Sequence, residues 1–278
     1  MPAPRLHVAT PLAHSPLPFA LPAAAARHAQ VLRLQPGAGV TLFDGHGGEW
    51  QAEVQAMDRK GVDVRLVEHR LIEREARLSV TIAVAMPSND RMDDLVEKAT
   101  ELGAVAIVPL LAERSVLRLV GERAERRQAH WQQVAVAACE QCGRNRIPVV
   151  HAVQTLHAWL ASLPALPRTA SAQEAHGAHE AQVPQSLEEA APGLDLRLLL
   201  GWHGAQPWPA ATGVSMRSLM LLSGPEGGLS SDEEAAARQQ GFGCAWLGTR
   251  VLRADTAPLA ALASLALRWA EAAVPGGS

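Results

Sequence analysis

Residues 219–262 read LMLLSGPEGGLSSDEEAAARQQGFGCAWLGTRVLRADTAPLAAL, and this stretch decides how the C-terminal part of the chain is built. It opens with an apolar run at 219–222, which has the length of a strand and ends at a turn signal. Three glycines within residues 224–228 then form a loop whose backbone can adopt positive φ and approach a ligand closely. The pattern indicates a strand that leads through a ligand-binding loop into a helix.

A helix, a second strand and a last helix follow this loop. Ser231 and Glu234 fit a capping box, which predicts the helix start, and Gly241 is a natural stop. A short strand is predicted at 245–247, and a second loop follows at 248–253. The last helix carries apolar residues on roughly one face, namely Leu259, Leu262, Leu265 and Trp269.

The glycine-rich loop does not have the composition of a phosphate-binding loop. Anions favour a helix N-terminus because of its partial positive charge. Here Asp232, Glu233 and Glu234 already fill the first turn, and the loop contains neither a lysine nor a GxxxxGK[ST] pattern. A neutral or cationic ligand held by backbone groups fits this loop better.

The N-terminal part of the chain, up to residue 73, is β-rich in its pattern. Apolar and polar residues alternate at 39–43, 49–56 and 61–68, with β-branched residues frequent, which is typical of strands. One helix is predicted near residues 23–32. These elements indicate a small barrel of hairpins.

After residue 77 the pattern changes and predicts an α/β fold. A strand at 78–85, a helix, and a strand at 105–111 form a βαβ unit, which indicates a parallel sheet. The helix has apolar residues at helical spacing, namely Met92, Leu95, Ala99 and Leu102. A longer helix is predicted at 122–142. Residues 161–193 are rich in Ala, Pro, Gln, His and Glu, which is typical of a surface excursion.

Composition restricts the compartment and the partners. The 278 residues carry a net charge of −3, so contacts with nucleic acid must come from local arginine clusters such as the one within 114–146. No apolar run approaches the ~20 residues that would span a bilayer. The N-terminus lacks the apolar core of a secretory signal. We therefore expect a cytoplasmic protein that does not enter a membrane.

The three cysteines, an odd number, fit a reducing compartment. Cys139 and Cys142 form a CxxC motif, which is compatible with a zinc site, a redox pair or two small buried residues on a helix. Zinc needs about four ligands, and the sequence contains no second cysteine pair. We interpret the motif as buried packing and expect no metal site.

The segment GPEGGLSSDE, followed by LGTRVLRADTAPLAAL, resembles the C-terminal signature of the ribosomal RNA small-subunit methyltransferase E family, which belongs to the SPOUT class. Three upstream segments are similar to the same family: RHAQVLRLQPGAGVTLFDG, RMDDLVEKATELGAVAIVPLLAERSV and AACEQCGRNRIPVV. The resemblance implies a PUA-like β-barrel RNA-binding domain at 1–73 and a SPOUT trefoil-knotted parallel-sheet methyltransferase domain at 78–278. Residues 161–193 would form a flexible insertion in the second domain.

The resemblance also implies an activity, namely methylation of N3 of a specific uridine in 16S rRNA with S-adenosylmethionine as donor. The implied partners are this RNA, within an assembled small ribosomal subunit, and a second copy of the chain in a homodimer. Two alternatives stay open at this point. One is a SPOUT methyltransferase that acts on tRNA, and the other is a non-catalytic RNA-binding assembly protein.

The resemblance places the cofactor against three segments, mainly through backbone groups. The residues predicted to bind it are Leu200, Gly201, Gly224, Pro225, Glu226, Gly227, Gly228, Leu247, Gly248, Arg250 and Leu252. The predicted RNA-binding residues are arginines in both domains, namely Arg5, Arg27, Arg33, Arg114, Arg144 and Arg146.

The catalytic candidates follow from the chemistry of the acceptor. Uracil N3 carries a proton, and a protonated imide is a poor nucleophile, so this proton must be removed or the imide anion stabilised. Glu226 and Asp255 are the candidate bases, and Arg253 is the candidate cation for the charge that develops on the uracil oxygens. The sequence departs from the family twice, with Asp255 in place of the usual glutamate and with an unusual loop at 201–204.

Overall fold

The computed structural model describes residues 3–12, 18–87, 91–165, 195–201, 204–208 and 217–273. The chain divides into two compact units. The first contains Met1–Glu75 and Ala135–Ile147, and the second contains Ala76–Val134 and Pro148–Ser278. The predicted flexible insertion lies almost entirely outside the described residues, because these stop at residue 165 and resume at residue 195.

The first unit is a five-stranded half-barrel sheet with one helix. Its elements are β1 (Arg5–His7), β2 (Phe19–Ala20), α1 (Ala23–Val31), β3 (Gly39–Phe43), β4 (Glu49–Met57) and β5 (Val62–Arg70). The strand order is β1-β3-β4-β5-β2, in which β1 and β3 are parallel and the other pairs are antiparallel. The three strands and the helix predicted for this region are confirmed, with small shifts at their ends.

The core of the first unit comes from the apolar half of each alternating strand. Leu6, Leu42, Val54 and Val64 are buried and pack with Ala29 of α1. Burial of such alternating side chains on one face is what fixes the pairing register of an antiparallel sheet, since a slip by one residue would turn every side chain to the other face.

The second unit is a parallel sheet with helices. Its elements are β6 (Ser79–Ala85), α2 (Arg91–Glu101), β7 (Ala104–Leu111), α3 (Gly121–Cys142), β8 (Val149–Val150), β9 (Gln154–Thr155), α4 (Leu156–Ser162), β10 (Asp195–Leu200), β11 (Gln206–Pro207), β12 (Ser218–Ser223), α5 (Ser231–Gln239), β13 (Gly243–Trp246) and α6 (Thr256–Ala273). The last residues of α3, from Ala135 onward, belong to the first unit.

All strand pairs of the second unit are parallel, in the order β11-β13-β10-β12-β6-β7-β8, with β9 beside β7. The central strands contain continuous apolar runs, and Ile82, Leu198 and Leu221 are fully buried. Continuous apolar runs of this kind are typical of parallel strands that are covered on both faces. The α/β fold predicted from the βαβ pattern is therefore confirmed.

The start of α5 differs from the prediction by one residue. The capping box is formed by Ser230 and Glu233, not by Ser231 and Glu234. Both serines have a glutamate three residues later, so the local sequence permits either register. The observed one is selected by tertiary structure, because the buried Glu233 carboxylate also accepts a hydrogen bond of 2.7 Å from the backbone N–H of Glu113.

The last helix, α6, presents the predicted apolar face in part. Leu262 and Leu265 are buried, and Leu259 is half-buried. The side chain of Trp269 lies outside the described residues. Across the described part of the chain, no helix has both the length and the apolarity needed to cross a membrane.

Candidate functional site

Three loops converge at the carboxyl edge of the parallel sheet. Strands β12, β10 and β13 are adjacent and parallel, so the segments that leave them, beginning at Gly201, Gly224 and Leu247, emerge side by side. The N–H of Gly201 donates to the carbonyl of Ala245 at 3.0 Å, which extends this pairing into the first loop. Ligands of open parallel sheets bind outside the carboxyl ends of the strands. The residues predicted to bind the cofactor all lie on or directly beside these three loops.

The glycine-rich loop after β12 has no room for side chains at its base. A Cβ on Gly224 would lie 3.2 Å from the backbone nitrogen of Leu229, so a side chain there would force the loop to move. Gly228 has φ of +70° and donates its N–H to the carbonyl of Pro225 at 2.8 Å, which closes a tight turn. Gly227 is exposed at the tip of this turn. The loop is thus a bare backbone surface, which fits a cofactor bound through peptide groups.

A segment following β7 braces this loop from the side. Nη1 of Arg114 donates to the carbonyl of Gly227 at 3.0 Å and to that of Leu229 at 3.3 Å. The guanidinium thus satisfies two carbonyls of the loop and its exit. Arg114 was predicted to bind RNA, whereas the structure places it as a support of the glycine-rich loop.

The two candidate bases lie on different loops but share one cation. Nη1 of Arg91 is 3.9 Å from Oε1 of Glu226, and its Nε is 4.0 Å from Oδ2 of Asp255. Arg253, the cation predicted from the sequence, has an exposed side chain, and its carbonyl accepts from the N–H groups of Thr256 and Ala257 at the start of α6.

Arg91 is a site residue that the sequence reasoning did not single out. It is the first residue of α2, which follows β6, and β6 pairs with β12 in the sheet. The signal was present in the predicted βαβ unit, because a residue that follows one strand of a parallel sheet lies near the loop that follows its neighbour. What the sequence did not indicate was the strand order that makes β6 and β12 neighbours.

The loop between β13 and α6 is fixed to the end of β12. Oγ of Ser223, which is buried, donates to the carbonyl of Ala254 at 3.2 Å. This contact places Asp255 next to the strand that carries the glycine-rich loop. The carboxylates of Glu226 and Asp255 therefore face one site, although 28 residues lie between them in the sequence.

The arginines predicted to bind RNA fall into two groups by burial. Arg5 and Arg144 are largely buried in ion pairs with acidic residues of the first unit. Nη1 of Arg5 is 2.6 Å from Glu49, and Nε of Arg144 is 2.9 Å from Glu75. Because each guanidinium is held in a buried pair, these two residues support the first unit and are not free to grip a phosphate.

The remaining candidates in the first unit are open to solvent. Arg27 and Arg33 are exposed at α1 and directly after it, and the Arg146 side chain is 54% exposed in an ion pair with Glu73. Arg33 has φ of 54°, a left-handed conformation that favours glycine. Arg33 therefore occupies a position where glycine would cause less backbone strain. This is consistent with a role for its side chain in binding at the surface.

Glu49 is the centre of a buried polar cluster in the first unit. Its carboxylate accepts hydrogen bonds from Arg5 at 2.6 Å, Arg74 at 3.0 Å and Asn145 at 3.2 Å. Burial alone would raise the pKa of Glu49, but the hydrogen bonds from these three side chains outweigh it and hold the pKa below its usual value. Asn145 also donates to the carbonyl of Ile72 at 2.7 Å, so the cluster joins residues 144–147 to the sheet.

Replacing Glu49 by glutamine is expected to destabilise the protein by about 3 kcal/mol at neutral pH, because it leaves the largely buried guanidinium of Arg5 without its counter-charge. Since the folded-state pKa is lowered, this stabilisation is fully present above the unfolded-state pKa of about 4.3 and is lost as the pH falls through the folded value. Urea unfolding should therefore show the two proteins converging below about pH 4.

The matched control is Glu53→Gln, which breaks an exposed pair with Arg65 in the same sheet. This variant should lose less than about 1 kcal/mol. Equal losses in the two variants would contradict the assignment of Glu49 as the centre of the cluster.

The CxxC motif is structural. Cys139 is buried and donates its thiol to the carbonyl of Arg146, and burial raises the pKa of this thiol to about 12. Cys142 is half-buried, and the cysteines are not joined by a disulfide. Within the described residues, no group of three or more His, Cys, Asp or Glu side chains is placed to hold a metal ion.

Comparison with known proteins identifies related RNA methyltransferases. The profile of the RNA methyltransferase domain family matches residues 74–266, and that of the RNA methyltransferase PUA domain matches residues 21–67. The ribosomal RNA small subunit methyltransferase E of Bacillus subtilis is 31% identical over 239 residues, which cover 84% of each chain. The protein of the same name from Synechocystis is 32% identical, over 85% of this chain and 68% of that one.

Solved structures agree as well. The ribosomal RNA small subunit methyltransferase E of Neisseria gonorrhoeae, bound to S-adenosylmethionine, superposes with a TM-score of 0.80 at 30% identity, over 96% of this chain and 98% of that one. A protein from Legionella pneumophila, in complex with the same cofactor, gives a TM-score of 0.76 at 26% identity, over 98% of each chain. From the matched domains, the relatives and the site, this chain belongs to the ribosomal RNA small subunit methyltransferase E family.

Proposed function

We propose that this protein methylates N3 of a specific uridine in 16S rRNA with S-adenosylmethionine as methyl donor. The observation that carries the proposal is the bare glycine-rich loop at the carboxyl edge of the parallel sheet, with the carboxylates of Glu226 and Asp255 beside it. The relatives named for ribosomal RNA small subunit methylation, and the related structures that contain S-adenosylmethionine, support it.

The three loops have the composition that the cofactor requires. Backbone groups at 200–201, 224–228 and 247–252 would hold it. Like Gly224, Gly201 has little room for a side chain, since an added Cβ would lie 3.3 Å from the Cys244 sulfur. The chemistry that S-adenosylmethionine would supply is an electrophilic methyl group on a sulfonium, which becomes a neutral thioether when the methyl moves to N3. The acidic side chains near the loop suit such a cationic ligand.

The protein's own contribution is to orient the uridine and to accept the proton of N3. A carboxylate, from Glu226 or Asp255, accepts the proton of N3, and a nearby guanidinium stabilises the negative charge that spreads over the uracil oxygens. Arg253 is proposed for this second role because it is exposed on the loop that leads into Asp255. Holding the reactants in line contributes the rest, since positioning can account for roughly 7–11 kcal/mol of a barrier.

The proposal is tested by nucleoside mass spectrometry of 16S rRNA from a strain that lacks the protein. The methylated uridine should disappear and should return when purified protein and S-adenosylmethionine are added to small subunits from that strain. Loss of a tRNA modification instead would support the alternative substrate. Failure to bind S-adenosylmethionine by calorimetry would support the non-catalytic alternative.

The oligomer, the knot and the setting are proposed together. The contact that supports a trefoil knot is the return of the loop from β13 to the end of β12, where the Ser223 hydroxyl donates to the carbonyl of Ala254. The second unit has exposed apolar side chains, Val251 and Leu267 among them, that a partner copy would cover in a homodimer. The protein would act in the cytoplasm on an assembled small subunit, without a metal and without a membrane. A monomer by sedimentation at micromolar concentration would contradict the dimer.

RNA binding is proposed to use the exposed arginines, Arg33 and Arg146 in particular. Changing either one to alanine should weaken binding to small subunits and lower the slope of log affinity against log salt by about 1, because each phosphate contact releases about one counterion. Donor affinity should not change. Arg65→Ala is the control, since the Arg65 side chain is 52% exposed, as open as Arg146, and is paired with Glu53. An unchanged salt slope in the Arg33 and Arg146 variants would remove both residues from the interface.

A further inference from the structure

Arg91 is half-buried, its side chain 35% exposed, and it stands at the N-terminus of α2. Its guanidinium forms ion pairs with Glu226 on the β12–α5 loop and with Asp255 on the β13–α6 loop, at 3.9 Å and 4.0 Å. These are the two carboxylates proposed as acceptors of the N3 proton. We propose that Arg91 is a positioning residue for the methyl transfer, which fixes both carboxylates at once. The inference rests on the proposed function and deepens it.

The geometry favours a bridge over two independent surface pairs. The two contacts use different nitrogens of the guanidinium, Nη1 toward Glu226 and Nε toward Asp255, so one planar group faces both acids. The planar, delocalised guanidinium is suited to such a shared arrangement, whereas a lysine ammonium is a single point charge on a flexible stem.

The fold brings these three groups together through elements that are themselves fixed. Residue Arg91 belongs to a helix that packs against α6, and α6 begins directly after Asp255. Strand β6, which precedes α2, pairs with β12, which precedes Glu226. Each carboxylate is on a loop, and loops are the mobile parts of a fold. The helix that carries Arg91 is thus the rigid element from which both loops are held.

Charge balance is consistent with this role. Arg91, Glu226 and Asp255 together carry one net negative charge at neutral pH, which suits a site that receives a cationic donor. In the reaction the N3 proton passes to a carboxylate as the methyl group arrives at N3, and Arg91 stays protonated throughout. It neither donates nor accepts a proton in the step, so its effect is exerted through the two acids.

The test compares Arg91→Ala and Arg91→Lys with the wild type in small-subunit methylation. For Arg91→Ala we expect kcat to fall about 100-fold, the loss that a misplacement of about 1 Å can cause, with KM for subunits and Kd for S-adenosylmethionine within about threefold. Arg91→Lys should recover about tenfold of this loss, because lysine restores the positive charge but not the planar guanidinium that can face two carboxylates. Arg65→Ala, which breaks an exposed pair with Glu53, is the control and should retain wild-type kcat.

A double-mutant cycle separates positioning from a general structural effect. Because Arg91 is proposed to act through both acids, the loss in Arg91→Ala/Glu226→Gln should be clearly smaller than the two single losses combined. Fully additive losses with Glu226→Gln and with Asp255→Asn, or a kcat of Arg91→Ala within threefold of wild type, would overturn the proposal. A loss explained by weaker donor binding would overturn it too.

Amide hydrogen exchange does not depend on catalysis, so it tests the positioning role of Arg91 separately from the proposed methyltransferase function. In Arg91→Ala, amide hydrogen exchange should become several-fold faster at 224–228 and 253–256, with and without S-adenosylmethionine, while the melting temperature changes little. Unchanged exchange at these residues would overturn the positioning role. Absence of rRNA methylation by the wild-type protein would instead overturn the proposed function and leave the exchange result to decide on Arg91.

Discussion

Replacing Gly227 by valine is expected to weaken S-adenosylmethionine binding by more than about 100-fold while the protein stays folded. Loss of two or more peptide-group contacts at about 1.5 kcal/mol each gives a factor of this size. Gly227 is suited to this test because its φ lies outside the left-handed region. The nearest atom to an added Cβ is Cβ of Arg114 at 3.4 Å, an ordinary contact.

Valine at this position therefore places its bulk above the loop without straining the backbone. Calorimetry measures the donor affinity, and far-UV circular dichroism with thermal unfolding checks the fold. Gly39→Val is the matched control, since Gly39 is an exposed glycine with nothing within 4 Å of an added Cβ. Wild-type donor affinity in Gly227→Val would remove the glycine-rich loop from the cofactor site.

Glu226→Gln is expected to lower kcat by about 10²–10⁴-fold, the range that a general base contributes. The amide keeps the shape of the side chain and cannot accept the N3 proton. Glu226 is the stronger candidate of the two acids because it is exposed at the tip of the glycine-rich loop, beside the proposed position of the methyl group. Single-turnover methylation of small subunits, with the donor saturating, measures the chemical step apart from binding.

Asp255→Asn serves as the comparison and should lose about tenfold, through weaker positioning and not through loss of the base. Asp255 is less exposed, with 24% of its side chain accessible, and it stands directly before the first turn of α6. If Asp255→Asn were the slower of the two variants, the roles of the acids would be exchanged.

The sequence predicted most of the secondary structure because the signals were local. The alternating strands of the first unit, the apolar strands of the second and the glycine stop of α5 all depend on residues within a few positions of one another. Gly241 is an example, because its φ of +82° is a left-handed conformation that glycine adopts more readily than other residues. Where two local signals competed, as for Ser230 and Ser231, a contact with Glu113 decided the outcome.

The site was predictable only where it coincided with a motif. Glu226 and Asp255 stay predictions, made because each lies in a segment similar to the family signature. Arg91 was missed because its role depends on the pairing of β6 with β12, which brings together strands more than 130 residues apart in the chain (218 − 85 = 133). Arg5 and Arg144 were assigned to RNA because a sequence does not reveal that an arginine is buried against Glu49 or Glu75.

The membership of Ala135–Ile147 in the first unit has a consequence for synthesis on the ribosome. When Glu75 has left the exit tunnel, Asn145 and Arg144 have not yet been made, so Glu49 lacks one of its three hydrogen-bond donors and Glu75 lacks its ion-pair partner. The buried polar cluster of the first unit is completed only after the 72 residues from 76 to 147 have been made. At about 5–20 residues per second this delay is roughly 4–14 s. A nascent chain arrested shortly after residue 75 should therefore be protease-sensitive, and one arrested well beyond residue 147 should be resistant.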